Sequence, residues 1–169
     1  MKKILLIEDN IEIRENTTEI LELDGYEVLT AENGKLGVEM ATQYLPDLII
    51  CDIMMPVLDG YGVLHLLSKN PETETIPFIF LTAKADRTDF RKGMEMGADD
   101  YITKPFDDLD LLNAIESRFK KLQNLEKKYQ KDMEGLEELV KDVGGEEDLK
   151  KLIKNREKRF YKKKSEIYR

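Results

Sequence analysis

The chain has one cysteine, Cys51, and one histidine, His65. A lone cysteine excludes an internal disulfide and fits a reducing cytoplasm. Set in an apolar run, it reads as a small core hydrophobe rather than a reactive thiol. The histidine has no Ser or Cys paired with it and no Cys-His cluster around it, so hydrolytic dyads and zinc centres find no support, and an ordinary packing or surface role fits it. No apolar run approaches the ~18 residues of a membrane span. The opening MKKILLIEDN has two lysines before an apolar stretch, but that stretch is only Ile4 to Ile7, acids follow at once and no small-residue cleavage site appears. It is a first strand, not an export signal.

What the chain has in quantity is charge, at 37% of residues, beside 41% hydrophobic residues. The net charge of −8 is unevenly spread: residues 1–119 carry 11 Lys+Arg against 24 Asp+Glu, and residues 120–169 carry 16 against 11. That asymmetry predicts two functional segments on a chain whose length suits one domain with an appendage.

The organising stretch is Leu45 to Gly62, LPDLIICDIMMPVLDGYG. After a turn at Pro46-Asp47, the apolar run Leu48–Cys51 reads as a strand buried on both faces, as in parallel sheets. It ends on Asp52 and passes into a loop with Pro56 and Gly60. Alone, a strand-end Asp reads most simply as a cap for the next turn. The rest of the chain changes that reading. Strands are expected at Lys3–Ile7, Tyr26–Thr30, Leu48–Asp52, Ile76–Leu81 and Asp100–Thr103. Helices are expected over residues 11–24, 34–45, 60–68, 86–96 and from Asp107 onward. Alternation of this kind implies a doubly wound parallel sheet. Right-handed crossovers then bring Glu8, Asp9, Asp52, Thr82 and Lys104 to one sheet edge, where open α/β sheets place their ligand sites.

The residue types define a chemistry. Converging carboxylates repel one another unless a cation sits among them. Hard oxygen ligands select Mg²⁺, which keeps several waters and leaves room for phosphate oxygens. A lysine and a hydroxyl complete a clamp for phosphoryl oxygens, and a carboxylate can itself attack phosphorus to give an acyl phosphate. Asp52 is the expected nucleophile. A phosphatase built on an aspartyl nucleophile would need a second acid two residues on, and Met54 stands there.

The segments IEDN, LPDLIICDIMMPVLDGYG, IFLTAKAD and GADDYITKPF together resemble the receiver domain of two-component response regulators, over residues 1 to about 121. The resemblance implies a flavodoxin-like (βα)5 fold that accepts a phosphoryl group from a histidine kinase. It implies that Asp52 is the phospho-acceptor, that Asp9 and Glu8 are the acidic pair at the Mg²⁺ site, and that Met54 contributes a backbone carbonyl to the metal. Thr82 becomes the switch hydroxyl, Tyr101 the switch aromatic and Lys104 the phosphate-binding lysine, before a cis bond to Pro105. Glu8 for the commoner Asp is a mild departure. Met54 and Lys84 border the site and are expected to tune the phosphoryl lifetime. Such a domain catalyses only its own phosphorylation and dephosphorylation. A degenerate receiver serving only as a binding module is disfavoured because each phosphorylation residue is present.

Beyond residue 121 a helical linker is expected over 122–143 and a basic tail over 144–169. Apolar residues at 112, 115, 119, 122, 129, 133, 136, 140 and 143 form a heptad seam, with Glu126 at the missing position. A helix from Asp107 to Val143 would be about 55 Å long. A parallel two-stranded coiled coil is the preferred reading of the seam, with an intramolecular helical hairpin as the alternative and Gly144-Gly145 as its end. A short helix is expected over Glu146–Asn155. The basic run Arg156–Arg169 reads as a solvated linker or a nucleic-acid contact, while RFYKKKSEIYR resembles the opening of the β-roll of cyclic-nucleotide-binding-like, catabolite-activator-type regulators. The expected function is therefore a phosphorylation switch controlling transcription, or else a stand-alone interaction module without DNA-binding output. Expected partners are a sensor histidine kinase and a second copy, the homodimer forming through the C-terminal helix and the face of the fourth helix, fifth strand and fifth helix; DNA contact would come only through an output domain outside this sequence, and no membrane is involved.

Overall fold

Strand β3 (Leu48–Asp52) runs at the centre of a five-stranded parallel sheet of order β2-β1-β3-β4-β5, with β1 (Lys3–Ile7), β2 (Glu27–Ala31), β4 (Phe78–Thr82) and β5 (Asp100–Thr103). This computed structural model describes the backbone of residues 1–83, 87–143 and 146–167, and the side chains of these except 87–90, 137, 139–143, 146, 148–149 and 163–167. The helices are α1 (Ile11–Leu23), α2 (Gly34–Tyr44), α3 (Gly60–Ser68), α4 (Arg87–Glu95), α5 (Asp108–Val143) and α6 (Glu146–Ile167). Element types match the expectation through α5. The second and fourth strands start one and two residues later than expected, leaving Tyr26 and Pro77 outside the ladder.

The order explains the site. The chain leaves β1 toward β2 and returns past it to β3, so the direction of travel reverses between those neighbours. With right-handed crossovers, reversal puts α1 and α2 on opposite faces and opens a crevice at the carboxyl ends of β1 and β3. Strands β3 and β4 are buried at every position, as both faces are covered. Alternate residues of the strands separate accordingly: Leu5, Ile7, Ile49, Cys51, Phe78 and Phe80 join a core cluster with Ala41, Tyr61, Val63 and Leu67 from α2 and α3. Ile4, Leu6, Ile50, Ile79 and Leu81, which point the other way, are also wholly buried. Register places Ile7 beside Cys51, Asp52 beside Leu81 and Thr82 beside Thr103, so the strand ends are level.

Two compact units divide the chain, Met1–Ile115 and Glu116–Ile167. In the second, the Tyr129 ring lies 4.1 Å from that of Phe160, and Arg156 donates to the Asp132 carbonyl at 2.9 Å. One partner's number rises as the other's falls, so the distal part of α5 and α6 run antiparallel. The seam is therefore faced by α6 within one chain, the arrangement of the helical-hairpin alternative to the preferred coiled coil. The physical reason is that α6 is longer than expected and supplies Ile153 and Phe160 as a half-buried stripe opposite Tyr129, Met133 and the buried Leu136. The expected breaker Gly144-Gly145 lies outside the described residues. The β-roll resemblance of Arg159–Arg169 is also corrected, since residues 159–167 continue α6 as helix.

Phe160→Ala should remove the tilted ring pair and cost the second unit about 1–2 kcal/mol. Helical circular dichroism and protease resistance of α6 would fall while the first unit keeps its melting behaviour. Unchanged α6 protection would contradict the hairpin.

Candidate functional site

At the carboxyl end of β1 the chain turns through Glu8, Asp9 and Asn10 into α1. The Asn10 side chain caps that helix by accepting from the Ile13 N–H at 3.1 Å. Asp52 closes β3, and the following loop leads to α3. Asp59, not Asp52, caps α3, accepting from the Gly62 N–H at 2.7 Å. Asp52 is thus left free of the capping role. It is buried, and its Oδ1 accepts from the Met54 N–H at 3.3 Å.

Glu8, Asp9 and Asp52 each offer a carboxylate oxygen, and these lie within 4.8 Å of one another. Lys104, at the end of β5, reaches the same point. Its Nζ donates to Glu8 Oε2 at 2.5 Å and stands 3.3 Å from Asp52 Oδ2. The lysine itself is anchored through its backbone, whose N–H donates to the Thr82 carbonyl at 2.7 Å, and the Lys104-Pro105 peptide is cis. Three acids against one contacting lysine leave an excess of negative charge. Like charges at this spacing repel by about 3–4 kcal/mol per pair at a surface-like dielectric. Burial pushes the Glu8 carboxyl above its ordinary value; the hydrogen bond from Lys104 works against the rise, and the Asp52 charge adds to it. Hard carboxylate oxygens at this separation, in a crevice open on the Asp9 side, fit a small divalent cation of the Mg²⁺ type. Glu8, Asp9 and Asp52 are the side chains that would hold it.

The other expected residues fall around this centre. Thr82 is buried at the end of β4, beside Asp52's strand. Tyr101 is half-buried on β5, its ring 6.2 Å from that of Phe80 and edge-on to it. Met54 is 58% exposed. Lys84 lies outside the described residues. His65 is exposed in the last turn of α3. Burial raises the Cys51 thiol well above its usual value, and its Sγ donates to the Asp52 carbonyl at 3.2 Å; it is a packed core group, as expected.

Two backbone features hold the loop after Asp52. The Leu58 N–H donates to the Pro56 carbonyl at 2.9 Å across Val57, whose φ is +73°. This is a γ-turn of the strained, positive-φ kind, carried by a β-branched residue that is 83% exposed. Gly60 then passes against β3, its N–H donating to the Ile53 carbonyl at 3.0 Å. A Cβ there would collide with the Asp52 carbonyl oxygen, so only glycine lets the loop fold back so tightly.

Two contacts were not foreseen from sequence, the Asp59 cap on α3 and a tie made by Arg14. Arg14, a turn into α1, donates from Nη1 to the Glu8 carbonyl at 2.7 Å and the Asp9 carbonyl at 3.3 Å. The only signal in the sequence is a cation five residues after an acidic pair, which helical spacing can turn back toward the strand end.

A parallel sheet with a charged crevice at its switch point and a lysine set against three acids defines a phosphoryl- or metal-handling α/β domain. The chain belongs to the response regulator receiver domain family, whose model matches residues 4–116. It is 42% identical over 117 residues to Protein PilH of Pseudomonas aeruginosa, covering 69% of this chain and 97% of PilH. It is also 42% identical over 123 residues to the probable transcriptional regulator ycf27 of Cyanophora paradoxa, covering 73% of this chain and 50% of that one. The chain thus spans about half the length of several of the curated relatives it matches. Among solved structures it is similar to the chemotaxis protein CheY4 of Vibrio cholerae (TM-score 0.67, 30% identity, covering 69% of this chain and 98% of that one). A CheY-like receiver domain protein from Methanospirillum hungatei JF-1 gives a TM-score of 0.69 at 29% identity, covering 73% and 98%. Receiver domains are signalling domains of two-component systems, not conventional enzymes, and bind Mg²⁺ in an acidic pocket. Among the described residues no helix is long and apolar enough to cross a membrane.

Two consequences are open to measurement. A raised Glu8 value means that the protonated acid favours the folded state. That contribution is complete below the unfolded-state value and is lost as pH rises through the folded one. Metal-free protein should therefore lose stability to denaturant as pH rises through this range, and Glu8→Gln should flatten that limb; equal slopes in both proteins would contradict the assignment. Val57→Asn, which tolerates positive φ, should raise the denaturation free energy by about 1 kcal/mol, and no gain would mean the γ-turn stores no strain.

Proposed function

We propose that this receiver accepts a phosphoryl group on Asp52 from a cytoplasmic histidine kinase and uses the acyl phosphate to reset an output surface. The observation that carries this reading is the position of Lys104 Nζ, in contact with both Glu8 and Asp52 at the mouth of the crevice. An Asp52 carboxylate oxygen attacks phosphorus, the P–N bond to the donor imidazole breaks, and the imidazole leaves with its electron pair and takes up a proton. Lys104 gives up part of its contact with the carboxylates to neutralise a phosphoryl oxygen. Glu8, Asp9, Asp52 and the Met54 carbonyl would hold Mg²⁺, which would supply further neutralisation of the charge on those oxygens. Thr82, at the adjacent strand end, turns its hydroxyl to another oxygen. Tyr101 moves further in against Phe80, reshaping the surface of α4, β5 and the start of α5, the face on which a second copy would dock. An apolar cleft beside Lys104, lined by Ile13, Ile20, Pro105 and Phe106, suits the helix that carries the donor histidine.

Two outputs have support among the relatives. The ycf27 proteins are named probable transcriptional regulators and are about twice the matched length, which supports control of transcription through a further domain. PilH is matched over nearly its whole length, which supports the alternative of an interaction module with no DNA-binding output.

Incubation with a small acyl phosphate donor and Mg²⁺, followed by intact-mass and peptide-mass spectrometry, tests the core of this reading. One phosphoryl group on the peptide containing Asp52 is expected. Asp52→Ala should take up none, and Lys104→Ala should slow uptake roughly 100-fold. Labelling elsewhere, or uptake by Asp52→Ala at the normal rate, would overturn it.

A further inference from the structure

The acidic pair is gripped from two sides, by different cations and at different atoms. Lys104 holds the carboxylate of Glu8. Arg14 holds the backbone of the same residue, and that of Asp9, through one nitrogen shared between the two carbonyls. A third tie joins the Asn10 N–H to Glu8 Oε1 at 3.2 Å. Asp9 is exposed and has no comparable anchor on its carboxylate among the described contacts, so its direction depends on the peptide units on either side of it. Those are the units whose carbonyls the guanidinium fixes. Arg14 is placed for this by α1 itself, since side chains on a helix lean toward its N-terminus, here the turn after β1. Thr18 Oγ1 donates to the Arg14 carbonyl at 2.7 Å, one turn further on.

We infer that Arg14 is a positioning residue for the divalent cation. It sets the orientation of the Asp9 and Glu8 carboxylates before the ion arrives and takes no part in the transfer itself. The inference rests on the proposed Mg²⁺-dependent phosphorylation of Asp52. Groups that orient metal ligands through hydrogen bonds commonly govern affinity by about 10–100-fold. Loss of Arg14 should therefore raise the Mg²⁺ concentration needed, and leave the rate at saturating Mg²⁺ close to normal. A group that only supports the fold would lower stability and leave the Mg²⁺ requirement where it was.

The experiment titrates Mg²⁺ against the full chain and follows two readouts, the rise in melting temperature without phosphodonor and the phosphorylation rate with a small acyl phosphate. Arg14→Gln is expected to raise the half-saturating Mg²⁺ about 10-fold in both, with the plateau rate within twofold of the unmodified protein. Arg14→Lys, which keeps one cationic donor, should recover part of the affinity. Lys35→Gln removes the same charge from an exposed helix position and should leave the titration unchanged. Half-saturation unaltered in Arg14→Gln, or a shift of equal size in Lys35→Gln, would overturn the inference. An unmodified protein whose melting temperature ignores Mg²⁺ would instead defeat the metal site and with it the proposed function.

Discussion

The constraint on which this structure turns is the convergence of like charge at the end of a parallel sheet. Glu8, Asp9 and Asp52 are carried there by the two strands that flank the switch point, and the hydrophobic residues of those strands leave them no other position. The core thereby forces together groups that would separate in an unfolded chain. Lys104 relieves part of the repulsion, arriving one residue past the edge strand β5, whose register sets Thr103 beside Thr82. Three carboxylates with one contacting lysine leave the site a residual negative charge, the kind of imbalance that a second cation would relieve.

The surrounding backbone is built to keep that imbalance in place. Asn10 and Asp59 cap the helices that follow the two acidic strand ends, so that Asp9 and Asp52 need not. Gly60 lets the β3–α3 loop fold against the Asp52 carbonyl, and the positive-φ turn at Val57 lies exposed in the same loop. Strain held beside a reactive group is a recurring arrangement where geometry matters more than local stability. Arg14 belongs to the same set, acting on carbonyls where Lys104 acts on carboxylates.

Much of this was legible in the sequence because burial and period leave a direct trace there. The run Leu48–Cys51 ending on Asp52 declares a buried strand and its terminal acid, and alternation with helices declares the parallel sheet that gathers Glu8, Thr82 and Lys104 around it. Contacts from side chain to backbone leave no such trace, which is why Arg14 and Asp59 were not foreseen. The C-terminal region was only partly legible for a related reason. A heptad seam states that a partner helix exists but not which chain supplies it, and both a second copy and α6 satisfy Tyr129, Met133 and Leu136. The short motif RFYKKKSEIYR resembles the opening of a β-roll, yet residues 159–167 extend a helix whose apolar stripe includes Phe160.

The central claim is that the three carboxylates form one cation-responsive centre. Backbone amide nuclear magnetic resonance during a Mg²⁺ titration tests it most directly. The account predicts saturable shifts concentrated at Glu8–Asn10, Asp52–Met54 and Lys104, with α6 unaffected. Shifts spread over the acidic surface without saturation, or no shifts at these three strand ends, would contradict it.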